Sequence, residues 1–137
     1  MTHVLRCALL LAALPSPGIA AVSECFDTVV SESLIEALMT HDYAEFAEEV
    51  SASTRLKDAD PANLVAQLSQ AYPSGFDSCL VLREWDGSPH YRQTSLMFDG
   101  KDGALIAMTA HVLDGRGAEL VYLNLTSDFA DFYRNVR

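Results

Sequence analysis

Apolar positions along this chain change period once, near Gly75, and the change divides it into a helical half and a sheet half. Over Ser23–Thr40, Phe26, Val29, Val30, Leu34, Ala37 and Leu38 fall on one stripe at helical spacing, with Glu24, Asp27, Glu32 and Glu36 largely off it. Asp42 followed by Glu45 has the form of a capping box, because each carboxylate can accept from an orphan backbone amide. The helix it opens, Tyr43 to about Val50, presents Phe46, Ala47 and Val50 on one face. Asp60-Pro61 starts a third helix, since aspartate suits the N-cap and proline loses nothing at the first helical position. Leu64, Val65, Leu68 and Tyr72 form its apolar face, and Pro73-Ser74-Gly75 ends it. Ser51 to Asp60, polar and free of glycine, reads as the longest loop.

Beyond Gly75 the alternation is that of strands: Ser78–Trp85, His90–Phe98, Ala104–Leu113 and Glu119–Thr126. The connections at 86–89, 99–103 and 114–117 each contain Asp-Gly, which accepts the left-handed conformation of hairpin turns. Three hairpins in series predict an antiparallel meander. A short helix from Ser127 to about Asn135, carrying Phe129, Phe132 and Tyr133, closes the chain. Three N-terminal helices packed on a four-stranded meander define the α+β class.

Alternation also sorts the sheet faces. One set is Leu80, Leu82, Leu96, Phe98, Ile106, Met108, Ala110 and Val112; the other is Arg83, Trp85, Tyr91, Gln93, Ser95, Thr109 and His111. A five-residue turn at Asp99–Gly103 keeps these sets together by pairing Phe98 with Ala104, Gln93 with Thr109 and Tyr91 with His111. Val121, Leu123 and Leu125 join the apolar set, Tyr122 and Asn124 the polar one. Two readings follow. Either the apolar set faces the helices and the polar set is a solvated or partner-binding surface, or the polar set lines a pocket beneath the helices. Burial of eight apolar side chains, at about 1.5–3 kcal/mol for each large one, favours the first.

The N-terminus changes the picture. Arg6 precedes an apolar run, Cys7–Leu14; Pro15-Ser16-Pro17-Gly18 breaks it, and Ile19-Ala20-Ala21 offers small residues to a peptidase. That order predicts a cleavable signal peptide over residues 1–20, and the run is far short of the roughly 20 residues of a membrane span. Cleavage leaves about 117 residues, 21–137, as a single domain. It also removes Cys7, so that Cys25 and Cys79 remain as an even pair bound for an oxidising, periplasmic or secreted location. Strict alternation, however, puts Cys79 on the polar face while Cys25 begins a helix expected on the apolar one.

The whole chain carries 9 basic and 19 acidic residues. Loss of Arg6 takes the net charge to about −11, which opposes binding to nucleic acid or anionic membranes and favours solubility or a basic partner.

Chemistry-bearing residues are few. No two of the four histidines have the spacing of metal ligands, and no nucleophile elbow or nucleotide loop occurs, so no metal and no cofactor is expected. His41 falls in the turn after the first helix and His90 beside Pro89 in a turn. Arg83, Trp85, Tyr91, Gln93, His111 and Tyr122 remain as candidates for binding a ligand or partner. Were this face concave, His111 would be a candidate general base, with Tyr91 or Tyr122 polarising a carbonyl or donating a proton.

The long first helix, the turn Leu38-Met39-Thr40-His41-Asp42-Tyr43 into a second helix, and the hairpin series after the third resemble the nuclear transport factor 2-like superfamily of cone-shaped α+β domains. The resemblance spans nearly all of residues 21–137. It implies a cone-shaped sheet and a choice between enzymes of the ketosteroid isomerase or dehydratase type and exported domains that only bind or assemble. No acid or base residue of the enzyme members has a matching motif here. The expectation is therefore an exported, non-catalytic domain, monomeric or homodimeric, binding a protein partner or a small ligand. The rival expectation is a lyase or isomerase using His111 with Tyr91 or Tyr122.

Overall fold

The computed structural model describes residues 25–53 and 60–135; the expected leader, residues 1–20, lies outside them, as do residues 54–59 of the expected loop. The order of elements is α1 (Glu32–Met39), α2 (Tyr43–Ala52), α3 (Pro61–Ala71), β1 (Ser78–Ser88), β2 (Tyr91–Gly100), β3 (Gly103–Leu113), β4 (Ala118–Thr126) and α4 (Phe129–Asn135). The four strands pair in sequence order, all antiparallel. This is the α+β arrangement the period change predicts.

Local chemistry accounts for the helix starts. The Asp42 carboxylate accepts from the Glu45 amide at 3.0 Å, and that of Asp60 accepts from Ala62 and Asn63 at 3.1 and 3.3 Å. His41, exposed in the turn between α1 and α2, takes a φ of 65°. The first helix is shorter than its apolar stripe suggests. Residues 25–30 form turns instead, where the Thr28 hydroxyl donates to the Cys25 carbonyl at 2.9 Å. Thr28, Val29 and Val30 are three β-branched residues in a row, which weakens helix formation there. Helix α1 is then tied to α2 by Ser31 and Ser33, whose hydroxyls reach one Glu49 carboxylate oxygen at 2.6 and 2.5 Å.

The three helices cover one face of the sheet, called here the inner face. Leu34, Ile35, Leu38, Phe46, Val50, Leu68 and Tyr72 pack there against Leu96, Phe98, Leu105, Ala107 and Leu120. Two tyrosines fix the layers. The Tyr43 hydroxyl donates to the Tyr72 carbonyl at 2.7 Å, and that of Tyr72 to the Ala104 carbonyl at 3.0 Å.

The sheet register differs from the expected one by a single residue. Phe98 pairs with Leu105 rather than Ala104, Arg92 rather than Tyr91 stands opposite His111, and Gln93 faces Ala110 rather than Thr109. The expected five-residue turn is a two-residue one, Lys101-Asp102, between paired Gly100 and Gly103. Gly103 supplies its positive φ of 115°. Gly100 stays in the ladder because the chain at Gly75 lies directly over it, where any side chain would strike the Gly75 carbonyl oxygen. The Asp102 carboxylate holds that crossing by accepting from the Ser74 amide at 2.7 Å. The first hairpin also tightens: β1 runs through Asp86 and Gly87 to Ser88, and the turn is Pro89-His90.

A one-residue slip reverses the facing of a whole strand. Leu105, Ala107, Thr109 and His111 thus share the inner face with Leu96 and Phe98, while Ile106, Met108, Ala110 and Val112 turn outward. The expected eight-residue apolar face is therefore divided between the two sides. The physical reason is α4. Its Phe132 packs with Ile106 and Met108, joined by Leu82 and Met97, so that β3 is covered on both faces. Every residue from Leu105 to His111 is buried, and alternation in such a strand carries no facing signal. An irregularity in β4 likewise puts Leu120, not Val121, in the core beside Leu123 and Leu125.

The start of β1 also faces opposite to expectation, with Leu80 outward beside Met97. Cys79 pairs with Phe98, on the inner face, and forms a disulfide with Cys25 at a Cα separation of 5.9 Å. Both are buried in the core. Among the described residues no helix is long and apolar enough to cross a membrane.

Candidate functional site

The register divides the candidate residues between the two faces. Trp85, Gln93, Ala110 and Tyr122 form one row of directly paired positions across all four strands on the outer face. Trp85 and Tyr122 are 44% and 48% exposed. Tyr91 lies edge-on to Trp85 with ring centroids 6.1 Å apart, and its hydroxyl accepts from the Gln93 amide at 3.0 Å. The Trp85 indole folds back over Gly87, where a side chain would collide with it. Arg83 pairs with Ser95 in the next row of this face.

His111 is not among them. It is on the inner face, 2% exposed, opposite Arg92 on β2 and Leu120 on β4. The sheet itself thus separates His111 from Tyr91 and Tyr122, and the three do not converge on one point. Thr94 and Thr109 form the adjacent inner-face pair, 1% and 4% exposed. The Thr109 hydroxyl is used locally, donating to the Thr94 carbonyl at 3.2 Å.

Among the described residues, three buried side-chain polar atoms lack a hydrogen-bond partner: Arg92 Nε, Thr94 Oγ1 and His111 Nδ1. All three side chains belong to neighbouring positions of the inner face. Directly opposed and diagonal positions of a sheet lie within about 4.5–8 Å of each other, so the orphan atoms belong to one locality. An unmade hydrogen bond of a buried group costs about 1–3 kcal/mol, which makes three together a marked feature of a domain this small.

The electrostatics are also defined. Burial lowers the His111 pKa from its ordinary value, so that the ring is neutral at neutral pH. The Arg92 guanidinium turns its terminal nitrogens toward the rim, with Nη1 3.5 Å from a Glu84 oxygen and Nη2 3.7 Å from an Asp86 oxygen. Nε, the remaining donor, is the one left without a partner. Toward the helices this polar end gives way to Leu96, Ala107, Leu120 and Leu123. No group of three or more His, Cys, Asp or Glu side chains suited to a metal ion occurs among the described residues.

Sequence patterning found His111 but set it beside the wrong neighbours, and it did not single out Arg92 or Thr94. A threonine and an arginine in an alternating strand carry no signal of their own. Only their pairing with a buried histidine marks them. No family model, curated protein or solved structure matches the chain.

Proposed function

We propose that this protein is an exported, non-catalytic binding domain that holds a small ligand at the polar end of its inner sheet face. The observation that carries the reading is the group of three unpartnered buried atoms on Arg92, Thr94 and His111. A binding domain tolerates such a cost when the bound molecule supplies the missing partners. Export is supported by the leader-like order of residues 1–20 and by the buried disulfide, which suits an oxidising periplasmic or extracellular setting.

Two measurements test this. The mass of the protein recovered after expression with its native leader is expected to correspond to a start near Ala21, and an intact N-terminus would remove the export reading. A fragment library screened by amide chemical-shift mapping is expected to yield ligands that move Arg92, Thr94 and His111. Shifts confined to Trp85, Tyr91, Gln93 and Tyr122 would transfer the binding surface to the outer face.

A further inference from the structure

The chemistry of the orphan atoms narrows what the site accepts. Arg92 Nε–H can only donate, whereas the Thr94 hydroxyl and a neutral imidazole nitrogen can each donate or accept. The visiting group must therefore offer an acceptor atom, most simply an oxygen, which a bare cation or an ammonium head lacks. Charge argues equally against an anion. The Arg92 guanidinium already faces the carboxylates of Glu84 and Asp86, two negative charges against one positive, within a chain whose net charge is −10. A carboxylate or phosphate would be brought beside an excess of its own sign. The side chains adjoining it, Leu96, Ala107, Leu120 and Leu123, belong to the apolar core, so a molecule extending past the orphan atoms meets no further polar partner there.

We propose that the polar end of the inner face selects a neutral, largely apolar molecule through a single hydroxyl or carbonyl oxygen set among Arg92, Thr94 and His111. This inference rests on the binding reading above and assigns its ligand class. The oxygen accepts from Arg92 Nε, and a hydroxyl also donates to His111 Nδ1 or Thr94 Oγ1. One small polar group thereby satisfies what the fold leaves unpaired.

Three probes of one shape separate the possibilities: naphthalene, 2-naphthol and 2-naphthoate, each titrated into the purified protein at neutral pH and followed by amide shifts and calorimetry. The expected order places 2-naphthol first, with shifts at Thr94 and His111 and an affinity about 3–10-fold above naphthalene, the equivalent of one or two hydrogen bonds. Thr94→Val, and separately Arg92→Lys, which keeps the charge but loses the Nε donor, are expected to reduce the ratio of naphthol to naphthalene affinity. Tighter binding of 2-naphthoate overturns the neutral-ligand class while sparing the site. Equal binding of naphthol and naphthalene overturns the role of the orphan atoms, water then serving them. Failure of all three probes to move Thr94 or His111 overturns the site itself.

Discussion

Arg92 and His111 stand directly opposite each other across the β2–β3 ladder, on the covered face of the sheet, and each holds a buried nitrogen that has no hydrogen-bond partner among the described residues. Two basic side chains can be neighbours there because burial keeps the imidazole neutral, leaving Arg92 as the only cation of the pair. Its charge is compensated at the rim by Glu84 and Asp86. The arrangement leaves buried hydrogen-bonding capacity unused among the described residues.

Thr94 offers a direct test of that statement. Thr94→Val replaces an unsatisfied buried hydroxyl with a methyl of nearly the same shape, and is expected to raise stability by about 1 kcal/mol. Thr109→Val, one position across the ladder, removes a hydroxyl that donates to the Thr94 carbonyl, and is expected to lower stability by about 1 kcal/mol. Urea midpoints of the two variants should move in opposite directions. Movement of both in the same direction would mean that the Thr94 hydroxyl is satisfied in solution.

His111 contributes to the slope of the stability curve on the acid side. In the unfolded chain the imidazole takes up its proton near pH 6.5, whereas burial depresses the folded value. Between the two values the unfolded state binds more protons. Stability is thus fully present above about pH 6.5 and is lost as the pH falls through the folded pKa. His111→Gln is expected to lose less stability than the parent between pH 7.5 and 5, measured by urea unfolding at each pH. Tyr43 and Tyr72 act at the other end. Burial raises both pKa values above 10.0, the Asp102 carboxylate adding at Tyr43, so stability held below that pH is lost as it rises further.

The disulfide closes a long loop between residues 54 apart in sequence. Chain-entropy reasoning assigns it about 4 kcal/mol, with about 2–4 kcal/mol typical of measured cases. Replacement of Cys25 and Cys79 together by alanine should lower the unfolding free energy within that range. Peptide mapping of unreduced protein is expected to recover a Cys25–Cys79 cross-link; two free thiols would refute the bridge.

Two glycines predict contrasting outcomes. Gly100→Ala sets a methyl against the Gly75 carbonyl, backbone against backbone, and is expected to cost about 1–3 kcal/mol. Gly87→Ala meets only the swinging end of the Trp85 indole. Its effect is expected in the emission of this single tryptophan, with a stability change within about 0.5 kcal/mol. The reverse pattern would contradict the register of the first two hairpins.

The sequence by itself determined the class of structure and the order of its parts. Helical spacing before Gly75, strand alternation after it, the Asp42 and Asp60 caps and an Asp-Gly pair at or near each hairpin specify three helices and a meander, because these signals act within a few residues. It also put Cys25 and Cys79 forward as a pair, from their number and the leader-like order of residues 1–20. Tertiary structure decided the facing. Docking of Phe132 onto Ile106 and Met108 covers β3 on both sides, and the crossing of Gly75 over Gly100 excludes the wider turn. Both contacts join residues distant in sequence, and no local pattern encodes them. That one-residue difference parts His111 from Tyr91 and Tyr122 and sets it opposite Arg92, which is why the candidate site became visible only in the folded sheet.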